Sequence, residues 1–73
     1  MGRTIRTKEY AVLIEKLIKA RQDARLRQID VAKLVNRPQS YISRMESGEY
    51  RVDVLELKRF AKIYKKSINY FMK

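Results

Sequence analysis

A chain of 73 residues has room for one domain with a modest buried core. Lys and Arg number 18 against 8 Asp and Glu, a formal net charge of +10, and such an excess points to a polyanionic partner, either nucleic acid or an acidic membrane surface. Cys, His and Trp are absent, which removes Ser-His and Cys-His catalysis and leaves zinc without its usual ligands, so no metal, cofactor or enzymatic activity is expected. The longest apolar run, Tyr10 to Ile14, is far too short to span a bilayer, and no signal-peptide core is present, so the expectation is a soluble cytoplasmic protein.

Residues 1–6 are polar and basic with one Ile and read as a flexible arm ahead of a domain over residues 7–73. Thr7 is a natural N-cap, and Tyr10, Leu13, Ile14, Leu17, Ile18 and Ala24 recur at three- and four-residue spacing, predicting a first helix over Lys8 to Ala24. Arg25-Leu26-Arg27 is a connector. Gln28 to Val35 reads as a second helix with Val31, Ala32 and Val35 on one face, stopped by Asn36, which tolerates the left-handed conformation. Pro38 suits the first turn of a third helix running to about Ser47, and Gly48 ends it. Asp53 is an N-cap for a fourth helix, Val54 to Lys65, with Val54, Leu57, Phe60, Ala61 and Tyr64 as its stripe. Ser67 caps a last turn, Ile68 to Phe71. No stretch alternates with period two, so the fold class is all-α with five helices.

Two short helices joined by the turn Asn36 to Pro38 suggest a helix-turn-helix formed by the second and third helices. Spacing alone is a weak sign, since many helical hairpins share it. The faces of the third helix say more. Ile42 and Met45 fall on one side, whereas Ser40, Ser43, Arg44 and Ser47 fall on the other, with Gln39 at the leading edge. A solvated helix face ordinarily carries Glu and Lys. Gln, Ser and Arg instead match hydrogen-bonding needs of base edges, Gln pairing with adenine N6 and N7 and Arg with guanine O6 and N7. On residue types alone, an ordinary polar face remains an equal alternative.

The run Gln28 through Arg51 resembles the Cro/C1-type helix-turn-helix family, also called the XRE family of phage and bacterial regulators. The matching residues are Leu26, Gln28, Val31-Ala32, Val35, and Asn36-Arg37-Pro38-Gln39-Ser40-Tyr41-Ile42-Ser43-Arg44-Met45-Glu46-Ser47-Gly48-Glu49, continuing into Val52-Asp53-Val54. The likeness covers about residues 8 to 71 and implies a compact lambda-repressor-like domain. It implies that Gln39, Ser40 and Arg44, with Ser43 beside them, read bases. It further implies that Gln28, Arg37, Tyr41 and Arg51 contact the DNA backbone, Gln28 with help from helix N-terminal amides. Four positions depart from the family pattern. Asn36 replaces a usual Gly, Arg37 a frequent apolar residue, and Lys65-Lys66 a common Gly-aliphatic pair closing the fourth helix.

Arg21 lies within the apolar stripe of the first helix and Glu46 on the core side of the third. Two charges aimed at one core should pair, since a lone buried charge is prohibitive, and the family likeness implies the same bridge; the alternative is that both snorkel to water. Leu55, Ile63, Ile68, Tyr70, Phe71 and Met72 are an apolar surplus that a homodimer would cover, against the alternative of scattered exposed residues. The leading functional expectation is a sequence-specific double-stranded DNA-binding transcriptional regulator, a repressor, of bacterial or phage origin and associated with the nucleoid. An antitoxin or adaptor that also binds a partner protein is the second reading. A membrane binder needs an apolar face left exposed beside its cations, and here the stripes of several helices satisfy one another.

Overall fold

A computed structural model describes residues 7–72, and the basic segment 1–6 lies outside the described residues. Among the described residues there are five helices and no strand: α1 Lys8–Asp23, α2 Gln28–Val35, α3 Gln39–Glu46, α4 Val54–Tyr64 and α5 Ile68–Met72. The starts follow local chemistry. Thr7 Oγ1 accepts from the Tyr10 amide at 3.1 Å, and Asp53 Oδ1 accepts from the Glu56 amide at 2.9 Å, each satisfying a first-turn donor that has no partner within the helix. At α2 the arrangement is reversed, with Asp30 Oδ2 reaching back to accept from the Arg27 amide at 2.8 Å. Pro38 is not in the first turn of α3 as the sequence suggests. It stands just before it with extended ψ of 153°, and its carbonyl accepts from the Tyr41 amide at 3.0 Å.

Helices α1 to α4 end by the same device. A residue with positive φ turns the chain, and the amide after it reaches back five residues: Leu26 to Arg21, Arg37 to Ala32, Glu49 to Arg44 and Lys66 to Ala61, at 3.2, 2.9, 2.9 and 2.9 Å. The turning residues are Arg25, Asn36, Gly48 and Lys65. Asn36 and Gly48 suit that conformation. Arg25 and Lys65 carry a Cβ that opposes it, at a cost of roughly 1–2 kcal/mol each. Ala24 and Lys65, read from sequence as the last helical residues, fall in these turns because the chain has already begun to reverse there.

Packing explains the order. Helix α3 lies on α2 and α1, and α1 also carries α4 and α5, so α1 is the common support. Phe60, Leu17, Ile42, Met45 and Val31 are the largest fully buried side chains, drawn from all of α1 to α4. Tyr10, Ile14 and Ala20 complete the inner face of α1. The C-terminal expectation needs correction. Phe71 is buried in the core at 4% exposure, and Ile63, Ile68 and Tyr70 pack against it half-buried, so most of the supposed surplus is covered within the chain. A five-residue helix folded back onto α1 and α4 achieves this. Leu55 and Met72 stay exposed. No helix among the described residues is long and apolar enough to cross a membrane.

Candidate nucleic-acid interface

The two helices of the helix-turn-helix differ in what they bury. From α2, Val31, Ala32 and Val35 enter the core, and from α3, Ile42, Met45 and Glu46 do. The three apolar residues of α2 and the pair Ile42 and Met45 of α3 press the helices together. Asn36, at φ 58° and ψ 49°, makes the sharp turn between them. As a result Gln39, Ser40, Ser43 and Arg44 are all exposed on the outer side of α3, with Tyr41 half-buried at its flank. Exposed together, they present amide, hydroxyl and guanidinium groups of the kind that hydrogen-bond base edges.

Beneath this face lies a buried charge pair. Arg21 Nε donates to Glu46 Oε2 at 2.7 Å and Arg21 Nη2 to Oε1 at 3.1 Å, a bidentate clamp, while Nη1 donates to the Leu26 carbonyl at 2.9 Å. The side chains are only 13% and 5% exposed. The hydrogen bonds it donates to Glu46 hold the Arg21 guanidinium even more firmly protonated than usual, outweighing the opposing effect of burial. Burial, reinforced by the Glu46 charge, pushes the hydroxyl of neighbouring Tyr64 well above the ordinary phenol range, and that hydroxyl has no hydrogen-bond partner among the described residues. Glu46 Oε1 also accepts from Gln28 Nε2 at 3.0 Å, and Gln28 Oε1 in turn accepts from Gln39 Nε2 at 3.4 Å. A chain of contacts thus runs from the core to the outer face: Arg21, Glu46, Gln28, Gln39.

Around the rim the cations have neighbours of their own. Arg37 lies 4.8 Å over the Tyr41 ring and donates to Glu56 Oε2 at 3.5 Å, which ties it to α4. Arg44 donates to Tyr50 Oη at 3.4 Å and has Glu49 at 4.0 Å. Arg51 sits 5.4 Å over the Tyr10 ring. Arg27 pairs with Asp30 through two side-chain bonds of 3.0 Å. Those bonds, with that from the Arg27 amide, hold the Asp30 carboxyl down at about 2. Arg37, Arg44 and Arg51 are exposed while making these contacts, so the cationic rim stays accessible to an anion.

The sequence does not disclose one participant. Tyr10 belongs to the α1 stripe, yet its hydroxyl donates to the Tyr50 carbonyl at 3.0 Å and accepts from the Val52 amide at 2.9 Å. It thereby pins the loop leaving α3. The only sequence sign is a phenol at a position where an aliphatic residue would fill the core equally well.

The model of the helix-turn-helix family matches residues 17–71. Neither a curated protein nor a solved structure matches the chain. The matched span contains the Glu46 clamp, both short helices and the outer face of α3, and it covers most of the chain. With five helices among its described residues in the lambda-repressor-like arrangement, the chain belongs to the Cro/C1-type helix-turn-helix family of DNA-binding regulators.

Proposed function

We propose that the chain is a transcriptional repressor that lays α3 in the major groove of double-stranded DNA and reads its sequence there. The observation that carries this reading is the outer face of α3, where Gln39, Ser40, Ser43 and Arg44 are exposed together on a helix whose opposite side is locked by Ile42, Met45 and Glu46. Gln39 pairs with adenine and Arg44 with guanine, while the two serines make shorter contacts to bases or flanking atoms. Gln28, Tyr41, Arg37 and Arg51 grip phosphates on either side, and the net charge of +10 draws the polyanion in. Arg37 and Arg44 exchange their carboxylate neighbours for DNA on binding.

Two copies bind adjacent half-sites, as the symmetry of such operators favours. Leu55 at 71% and Met72 at 62% exposure, with the half-buried Ile63, Ile68 and Tyr70, offer the apolar contact for pairing. The decisive experiment is selection of bound sites from random duplex DNA. A two-fold symmetric motif with half-sites about one helical turn apart is expected. Recovery of no enriched motif would sink sequence-specific reading, and a single unrepeated half-site would sink the dimer.

A further inference from the structure

An arginine on an exposed helix face ordinarily samples many rotamers, and ordering it on binding costs affinity. Arg44 is not left to wander. Tyr50 Oη accepts from its Nη1 at 3.4 Å, and Glu49 Oε1 lies 4.0 Å from its Nε. The Ser47 hydroxyl lies 3.0 Å from the Arg44 carbonyl and 3.3 Å from Glu49 Oε2, between the two. Tyr50 is fixed from two directions. Its ring packs on that of Tyr41 with centroids 5.4 Å apart and planes tilted by 33°. Its carbonyl accepts the hydroxyl of the buried Tyr10 at 3.0 Å, and the same hydroxyl holds the Val52 amide. The brace therefore stands on the α1 core, although Tyr50 belongs to the loop after α3.

We propose that Tyr50 is a positioning residue for Arg44, setting base preference without touching a base. A guanidinium has five N–H groups, and Tyr50 occupies one. The others remain for a two-point contact with guanine O6 and N7, which tolerates little angular error. Holding the side chain in advance reduces the ordering cost that DNA would otherwise meet. The proposal rests on the reading of Arg44 as a base contact.

The test uses Tyr50→Phe, which keeps the ring on Tyr41 and the backbone bond to Tyr10 while deleting the hydroxyl. Sites are selected from random duplex DNA with the wild type, Tyr50→Phe, Arg44→Ala and the double variant. Tyr50→Phe is expected to lose about two- to tenfold in affinity for the preferred site, the scale of one immobilised long side chain. That loss should fall at the base pair where Arg44→Ala also loses discrimination, and it should vanish when Arg44 is already Ala. In the free protein, nuclear relaxation of the Arg44 Nε–H group should show wider motion in Tyr50→Phe. Uniform weakening at every position, additive losses, or unchanged Arg44 motion overturns the positioning role. If the wild type selects no motif, the reading of α3 itself fails. If it selects one that Arg44→Ala relaxes and Tyr50→Phe does not, the positioning role fails alone.

Discussion

Truncating Glu46 to Ala should remove a large share of the stability of the fold. The carboxylate accepts three hydrogen bonds, two from Arg21 and one from Gln28, and its side chain is only 5% exposed. Removing one member of a buried pair costs about 3–5 kcal/mol, because the other charge is left without compensation. Arg21 keeps its bond to the Leu26 carbonyl and 13% exposure, which places the loss near the lower end, about 3 kcal/mol. A chain of 73 residues has a total stability of about 4–11 kcal/mol, so the variant should be partly unfolded at the low end of that range. A double replacement, Arg21→Met with Glu46→Leu, removes both charges together and should recover most of the loss, since an apolar pair of similar volume is often neutral or better. It cannot restore the anchor of Gln28. The double variant should therefore fold well and still bind DNA more weakly than the wild type. Urea unfolding followed by circular dichroism gives the stabilities, and titration of the selected DNA site gives the affinities. A loss below about 1 kcal/mol for Glu46→Ala, the level of an exposed pair, would refute the reasoning. So would a double variant no more stable than the single one.

Gln39→Ala should cost about 1–3 kcal/mol at the preferred site and relax one base pair per half-site, as measured by competition with singly altered duplexes; equal weakening on all sequences would reduce Gln39 to a backbone contact. Arg51→Ala should weaken all sites alike and flatten the slope of log affinity against log salt by about 0.9, the signature of one lost phosphate contact, and an unaltered slope would remove Arg51 from the phosphate grip. Lys65→Gly should stabilise the domain by about 0.5–1 kcal/mol in thermal unfolding, because φ of 60° strains a residue with a Cβ and not glycine; a destabilised variant would contradict the strain at that turn. Asp30 titrates at about 2 in the fold against an ordinary 3.8, chiefly through its hydrogen bonds from the Arg27 side chain and amide. A depressed folded value means that this contribution is present above 3.8 and fades as pH falls toward 2. The melting temperature of Asp30→Asn should thus approach that of the wild type as pH drops through this window, and parallel curves would show that the pairing contributes nothing.

What the sequence discloses here is whatever is decided within a turn or two of chain. Thr7 and Asp53 are legible as helix starts because a short oxygen-bearing side chain can only satisfy donors three residues away. The division of α3 is legible because three- and four-residue spacing separates Ile42 and Met45 from Ser40 and Arg44 before any neighbour is known. Arg25 and Lys65 are not legible as left-handed turns. Nothing in a basic side chain favours that conformation, and only the packing of α1 and α4 on their neighbours imposes it. The partner of the Tyr10 hydroxyl is equally hidden, lying forty residues along the chain. The pairing of Arg37 with Glu56, likewise, exists only once α4 has folded against the turn. Phe71 shows the converse error, where apolar residues near a terminus suggest an intermolecular contact although the chain is long enough to fold them inward.

Helix α3 has eight residues, and Ile42, Met45 and Glu46, with the half-buried Tyr41 beside them, attach it to the body. The outward positions Gln39, Ser40, Ser43 and Arg44 take no share in the core, so mutation can explore them at little expense to folding. Gln28 has no such licence, because it is bonded to Glu46 below and Gln39 above. The domain therefore behaves as a fixed handle with an exchangeable key. Drift toward a new operator should begin at Ser40, Ser43 and Arg44, reach Gln39 later, and leave Arg21, Gln28 and Glu46 in place throughout.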